Sequence, residues 1–372
     1  MKESSDIIKA YKEAVKEGKK CALATVVKVE GSSYRQPGAR MLVTEEGQLT
    51  GAISGGCLEG DALKKALLAI HQKENKLITY NTSNEDDAEI GLQLGCNGIV
   101  HILFEYIDDE TAYNPIELLK QLEKERKPAV MVSVFSLKKY AVQLGTVLFY
   151  RDNQVLHPDK IALELVSDVA IVLKEKSTVI KTIDAENGSE ALIEYINPPV
   201  SLIIAGAGND VQPLVTMTSI LGWEVSVIDG RSTHAVAKRF PEAKNVLVSK
   251  PETFLANTVI DSQTYFVLMT HNYQYDLQVL KQLLEKDCPY IGVLGPKTKL
   301  ERMLQDLQQN GIVVTEEQLS RIYGPIGLDL GAETGEEIAL SIVAEIKAVL
   351  SGTKGTSLKH KQGKIHSTTI HV

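Results

Sequence analysis

Two cysteines stand where glycines leave room for chemistry. Cys57 lies in Ser54-Gly55-Gly56-Cys57-Leu58-Glu59, and Cys96 in Leu94-Gly95-Cys96-Asn97-Gly98. Cysteine is a soft sulfur donor that usually packs in a core, so placing it among glycines, where backbone and ligand approach closely, points to a thiolate site. A thiolate can coordinate a soft metal or carry sulfur as a persulfide. The other two of the four cysteines read as structural: Cys21 opens an apolar run and Cys288 stands beside one. No closely spaced Cys/His cluster of the zinc-holding kind accompanies them.

A second group of residues lies in the other half of the chain. Gly206-Ala207-Gly208 follows the apolar run Val200 to Ala205 and precedes a helical segment, the setting in which helix N–H groups receive an anionic phosphate. Asp229 ends the next apolar run, at about the twenty-residue distance at which an acid reaches a ribose hydroxyl. The fingerprint is incomplete, because Val211 replaces the third glycine and Asn209-Asp210 put a carboxylate near the phosphate position. Asp210 could instead cap the helix. Arg231, His271 with Asp276, and Gly295-Pro296-Lys297 also follow strand-like runs, where ligands of open α/β sheets bind. Thr334-Gly335-Glu336-Glu337 reads as a capping box that opens a helix to Leu350.

The elements that must position these residues form two halves. Asp6 to Glu17 has helical spacing, Ala22 to Val29 is a strand run, and strands at Arg40 to Thr44 and Leu49 to Ile53 flank the Glu46-Gly47 turn. A helix over Leu58 to His71 and strands at Leu77 to Tyr80 and Ile99 to Tyr106 complete a mixed-sheet α/β module over residues 1–108. Residues 109–197 repeat that order in degenerate form. Ala191-Leu192-Ile193-Glu194-Tyr195-Ile196 echoes Ile102-Leu103-Phe104-Glu105-Tyr106-Ile107, but the glycine-rich and cysteine loops have no counterpart. The first copy is therefore expected to carry a site and the second to be scaffold. After the linker Asn197-Pro198-Pro199, strand and helix alternate over residues 198–350, which predicts a Rossmann-like, doubly wound parallel sheet of five strands. Residues 351–372 hold Lys354, Lys359, Lys361 and Lys364 and no acid, and are expected to form a mobile basic tail.

Composition narrows the class. A formal net charge of −8 over 372 residues argues against a nucleic-acid partner. The apolar runs are strand-length and broken by charge, which argues against a membrane span. Few cysteines and a charged first segment, Met1 to Lys20, suggest a reduced, cytoplasmic setting.

Gly31-Ser32-Ser33 with Pro37 to Val43, Gly51 to Glu59 and Leu94-Gly95-Cys96 resemble the amino-terminal domain of the xanthine dehydrogenase accessory factors, the XdhC/CoxI family. Gly206-Ala207-Gly208, Met269-Thr270-His271 with Asp276, Tyr290 to Gly295 and Pro325 to Gly331 resemble that family's Rossmann domain. Asn209, Pro296, Asn97 and Gly335 depart from the pattern. The resemblance implies a chaperone of purine catabolism, not a turnover enzyme. It would bind molybdenum cofactor (molybdopterin), protect it while a cysteine desulfurase installs its sulfido ligand, and deliver it to a xanthine dehydrogenase type apo-enzyme.

On this reading Cys57 or Cys96 meets the metal, with Gly55 and Gly56 giving access. Arg40, and less directly Arg35, grips the phosphate, and Glu59 orients the pterin or relays a proton. Arg40 could equally pair with an acid, Glu59 start its helix and Cys96 be a buried thiol. Gly206, Gly208, Asp229, Arg231 and His271 would line a second cofactor crevice. Two other functions stay open, an NAD(P)-dependent oxidoreductase using Gly206 to Asp229 and a non-catalytic adaptor; the chaperone could also form a homodimer.

Overall fold

The computed structural model describes residues 2–81, 98–156, 163–256, 258–362, 365 and 370–371. The chain divides into two compact units, Met1–Pro198 with Gln362–Val372, and Pro199–Lys361. Among the described residues no helix is long and apolar enough to cross a membrane.

The first unit is built twice from one plan. Its first copy runs α1 (Lys2–Lys16), β1 (Cys21–Gly31), β2 (Arg40–Thr44), β3 (Leu49–Gly51), α2 (Glu59–Gln72), β4 (Lys76–Asn81) and β5 (Gly98–Tyr106). The second repeats the order as α3 (Pro115–Lys124), β6 (Ala129–Ser136), β7 (Gly145–Arg151), β8 (Gln154–Leu156), α4 (Val166–Glu175), β9 (Val179–Asp184) and β10 (Ser189–Ile196). The strands lie β3-β2-β1-β5-β4 in one sheet and β8-β7-β6-β10-β9 in the other. Every pairing in the first sheet is antiparallel, where the sequence suggested a mixed sheet. Adjacent strands joined by short links, such as β2 and β3, can pair only that way.

Strand alternation sorts the side chains. Ala22, Ala24 and Val26 of β1 pack with Ile102 and Phe104 of β5 against Ala62, Ala66 and Ala69 of α2. Alanines at that helical spacing let α2 lie close on the sheet. The opposite faces of the two sheets meet through Val27, Leu103, Phe135, Ile180 and Leu192. On the second sheet, Val130, Val132 and Val134 pack with Val169 and Val172 of α4.

The register reveals a reciprocal tie between the copies. Ala22 pairs with Tyr106 and Val130 with Tyr195, so Glu105 and Glu194 occupy matching places; Thr25 pairs with Arg40 and Ser133 with Thr146, so Arg40 matches Thr146. Glu105 accepts hydrogen bonds from Thr146 N at 2.6 Å and Thr146 Oγ1 at 3.0 Å. Glu194 accepts two from the Arg40 guanidinium. Each carboxylate thus crosses to the other copy. A Cβ on Gly38 would come within 2.4 Å of Glu194 Oε1, and one on Gly145 within 2.5 Å of Glu105 Oε1. Burial pushes the Glu105 carboxyl up, partly opposed by the bonds from Thr146.

The tail is not featureless. A Cβ on Gly355 would approach Leu328 Cδ1 to 2.8 Å, and Ile370–His371, β17, pairs in parallel with Val179–Ile180 of β9. Pairing at a sheet edge uses backbone groups, which composition does not report.

In the second unit six parallel strands, β11 (Ser201–Ala205), β12 (Glu224–Asp229), β13 (Asn245–Val248), β14 (Thr264–Leu268), β15 (Tyr290–Val293) and β16 (Ile322–Tyr323), lie in the order β13-β12-β11-β14-β15-β16. That is the doubly wound 3-2-1-4-5-6 arrangement. Leu202 and Ile204 face α5 (Val211–Ile220) and α9 (Gly335–Leu350), while Ile203 and Ala205 face α6 (Tyr273–Leu284) and α7 (Lys297–Gln309). Burial on both faces explains the uninterrupted apolar runs. The two-residue β16 was missed because it is too short to show a period; α8 (Glu316–Ser320) precedes it. Thr334 and Glu337 form the expected capping box of α9.

Arg40 and Glu194 have side chains only 4% and 14% exposed. Removing one partner of such a pair leaves a buried charge alone, so Arg40→Met and Glu194→Gln are each expected to cost about 3–5 kcal/mol in urea unfolding, with the double variant costing less than their sum.

Candidate functional site

The cysteine site is assembled at one end of the five-stranded sheet. The antiparallel order brings the carboxyl ends of β1, β3 and β4 together with the amino ends of β2 and β5. The Ser32–Ala39 link and the Ala52–Leu58 link therefore leave from the same edge. Gly98 pairs with Gly31, and a Cβ there would meet Ser32 O at 2.3 Å. Cys96 lies outside the described residues.

Ser54 organises the Cys57 loop. Its hydroxyl accepts hydrogen bonds from the N–H groups of Gly56 and Leu58, each at 3.1 Å, and donates to Glu59. Glu59, the first residue of α2, also accepts from Ser54 N at 3.0 Å and Leu58 N at 3.1 Å. Its carboxylate thus braces the loop from within. Gly55 lies against Tyr34, whose ring atoms would be 3.4 Å from a Cβ there, whereas Gly56, at φ +108°, has nothing within 4 Å of that position. Cys57 is half-buried, packs partly on the α2-side core and places Sγ 3.5 Å from Ser54 Oγ. Cys21 and Cys288 are sealed, and burial pushes their thiols up to about 12 and about 11.

Both arginines are engaged in ion pairs, the alternative that the sequence leaves open for Arg40. Arg40 turns inward to Glu194 and the Gly38 carbonyl, and Arg35 pairs with Glu3. The Arg40 guanidinium is buried and ion-paired through its two terminal nitrogens, although its Nε has no partner, so it cannot grip a phosphate without first breaking its own pair. Ser54 and Tyr34 were missed. A serine two residues before a glycine turn is a recognisable signal for side-chain-to-backbone bonding, whereas the Tyr34 contact is visible only in the fold.

The second group converges at the carboxyl ends of β11, β12 and β14. Gly206, at φ +127°, has no room for a Cβ, which would lie 2.4 Å from Met269 O. Asp229 accepts from Ala207 N at 2.8 Å and from Arg231 N, Nε and Nη2 at 2.8, 2.9 and 2.7 Å. Burial alone would push its carboxyl up, but these bonds outweigh burial and hold it below the usual carboxylate range. A ribose would find both of its oxygens occupied. Asp210 makes no cap bond; its Oδ2 lies 2.8 Å from His271 Nε2, and its Oδ1 would be 2.3 Å from a Cβ on Gly208. The carboxylate therefore stands in the space beside the glycine turn. Arg239, unremarked in the sequence, donates to Ala207 O, His234 O and Asn209 Oδ1. Among the described residues no group of three or more His, Cys, Asp or Glu side chains could hold a metal ion.

A thiol-bearing loop on a duplicated α/β module, together with a Rossmann-like unit, makes this a two-part α/β protein. The profile of the XdhC and CoxI family matches residues 14–81, and that of the XdhC Rossmann domain residues 202–346. A Bacillus subtilis protein named as a probable xanthine dehydrogenase subunit is 31% identical over 329 residues, covering 87% of this chain and 91% of that protein. The Escherichia coli molybdenum cofactor insertion chaperone PaoD is 25% identical, covering 92% of this chain and 87% of that one. A Bacillus halodurans crystal structure described as a xanthine dehydrogenase superimposes with a TM-score of 0.74 at 30% identity, covering 95% of this chain and 98% of that one. The chain belongs to the XdhC and CoxI family.

Three outcomes follow from this geometry. Timed maleimide labelling with peptide mass mapping is expected to modify Cys57 while sparing Cys21 and Cys288. Ser54→Ala, which orphans two N–H groups of the loop, should speed Cys57 labelling several-fold. In the second unit, Asp210→Asn removes a negative charge from beside Gly208, and calorimetric titration is expected to show pyrophosphate binding strengthened by about tenfold.

Proposed function

We propose that this protein is a molybdenum cofactor chaperone: it binds the cofactor at the Cys57 end of the five-stranded sheet and delivers it to a xanthine dehydrogenase type apo-enzyme. The observation that carries this is a half-buried thiol beside Gly56, whose α-carbon faces open space in a loop braced by Ser54 and Glu59. A soft thiolate suits an oxidised, dithiolene-bound molybdenum, and rigid presentation lowers the ordering cost of binding. The cofactor is cargo in this reading, and the chain itself performs no turnover.

The finer steps follow from the same role. A cysteine desulfurase supplies the sulfido ligand while the cofactor is held, and the exchange takes place in the reducing cytoplasm, where Cys57 stays a free thiol. The names of the insertion chaperone and of the xanthine dehydrogenase relative support the broader role in cofactor insertion. The oxidoreductase alternative draws less support, because Asp229 is saturated by Arg231 and Ala207.

Anaerobically purified protein is expected to carry a pterin that fluoresces after oxidation, and Cys57→Ala to retain at least tenfold less. Equal retention by the variant would remove the thiolate from the role.

A further inference from the structure

We propose that the outer edge of β4 accepts an extended, acidic segment of a partner protein as an added strand. β4 is the last strand of its sheet, and among the described residues its ladder runs only to β5. Exposed edges are normally blunted by proline, bulges or projecting charge. Lys76-Leu77-Ile78-Thr79-Tyr80 has none of the first two, and its one charge, Lys76, lies 3.0 Å from Glu74.

Beside this edge runs a cleft of about 1360 Å³, lined by β4 on one side and by Ser136 to Gln143 on the other. The fold itself shows what such an edge takes. β9 is the counterpart of β4 in the second copy, and its outer edge carries β17, an extended piece of this same chain. The first copy has the same edge and, among the described residues, no strand upon it.

Charge selects the occupant. Lys73, Lys138 and Lys139 line the cleft and make no ion pair among the described residues, although Lys139 also lies 5.1 Å from the ring centre of Tyr140. Of the lining acids, Glu74 is taken by Lys76, and Asp108 by the Glu110 N–H and the Thr111 hydroxyl, leaving Glu110. Tyr140 and Val142, 91% and 87% exposed, offer apolar contact to alternate side chains of an added strand. The chain's own tail, basic and without acids, is a poor match. This surface does not depend on the cofactor reading, which supplies only the apo-enzyme as the protein that would bring the segment.

The test uses the full chain and a short fluorescent peptide alternating valine and glutamate, with a valine and lysine peptide as control, read by anisotropy. The acidic peptide is expected to bind and the basic one not. Reversing charge at Lys73, Lys138 and Lys139 together should weaken binding about tenfold. Methylating alternate amide nitrogens of the peptide, which leaves its charge intact, should abolish binding in one of the two registers. No binding, unchanged binding after charge reversal, or full binding of both methylated peptides would overturn the proposal. So would a concentration-dependent dimer lost on charge reversal, which would give the edge to a second copy of this chain. None of these readings involves pterin, so a failure of the Cys57 assignment leaves them intact.

Discussion

Buried carboxylates that must be satisfied govern the first unit. Glu105 and Glu194 sit at matching points of the duplicated plan, and each is neutralised or hydrogen-bonded by the other copy. Neither copy alone could bury its glutamate without a large desolvation cost. Because Arg40 begins β2 and Gly38 lies against Glu194, the pair also anchors the end of the glycine-rich link that leaves β1. The second copy therefore holds the end of the first copy's β1–β2 link in place.

Duplication then allowed the same link to diverge. Between β1 and β2 it is glycine-rich and lies at the Cys57 end of the sheet, with Tyr34 over Gly55. Between β6 and β7 the matching link carries Lys138, Lys139 and Tyr140 and borders the β4 cleft. The strands that support both are constrained by packing on two faces, whereas the links cross no core and are free to take on chemistry.

What could be read from the sequence was what depends on local pattern. The repeated Glu-Tyr-Ile ending, the parallel-sheet runs and the Thr334 to Glu337 capping box each declare themselves within a few residues. Arg40 did not, because its partner lies in another copy, and no local rule separates an arginine that awaits a phosphate from one already paired. Asp210 was half legible. A carboxylate before a helix suggests a cap, yet His271, brought alongside by β14, captures it at 2.8 Å instead. Glu59 does stand at a helix start, one of the two roles its position offers, but its grip on Ser54 depends on how the turn closes.

The second unit shows how far a fold constrains function. Its strand order and glycine turn are those of a nucleotide-binding sheet, but function has to be argued from the groups that face the crevice. There, Asp229 holds Ala207 and Arg231, and Arg239 braces the turn from beneath, so the polar groups are spent on one another. The two side-chain pairs are unequal. Asp229 is buried, with its side chain only 3% exposed, while the His271 side chain is 61% exposed and its contact with Asp210 is of the solvent-screened kind worth about 0–1 kcal/mol. A ligand entering this crevice would displace the weaker pair first. Its polar end would then meet His271 and the glycine turn, and the Asp229 cluster would stay intact as the floor.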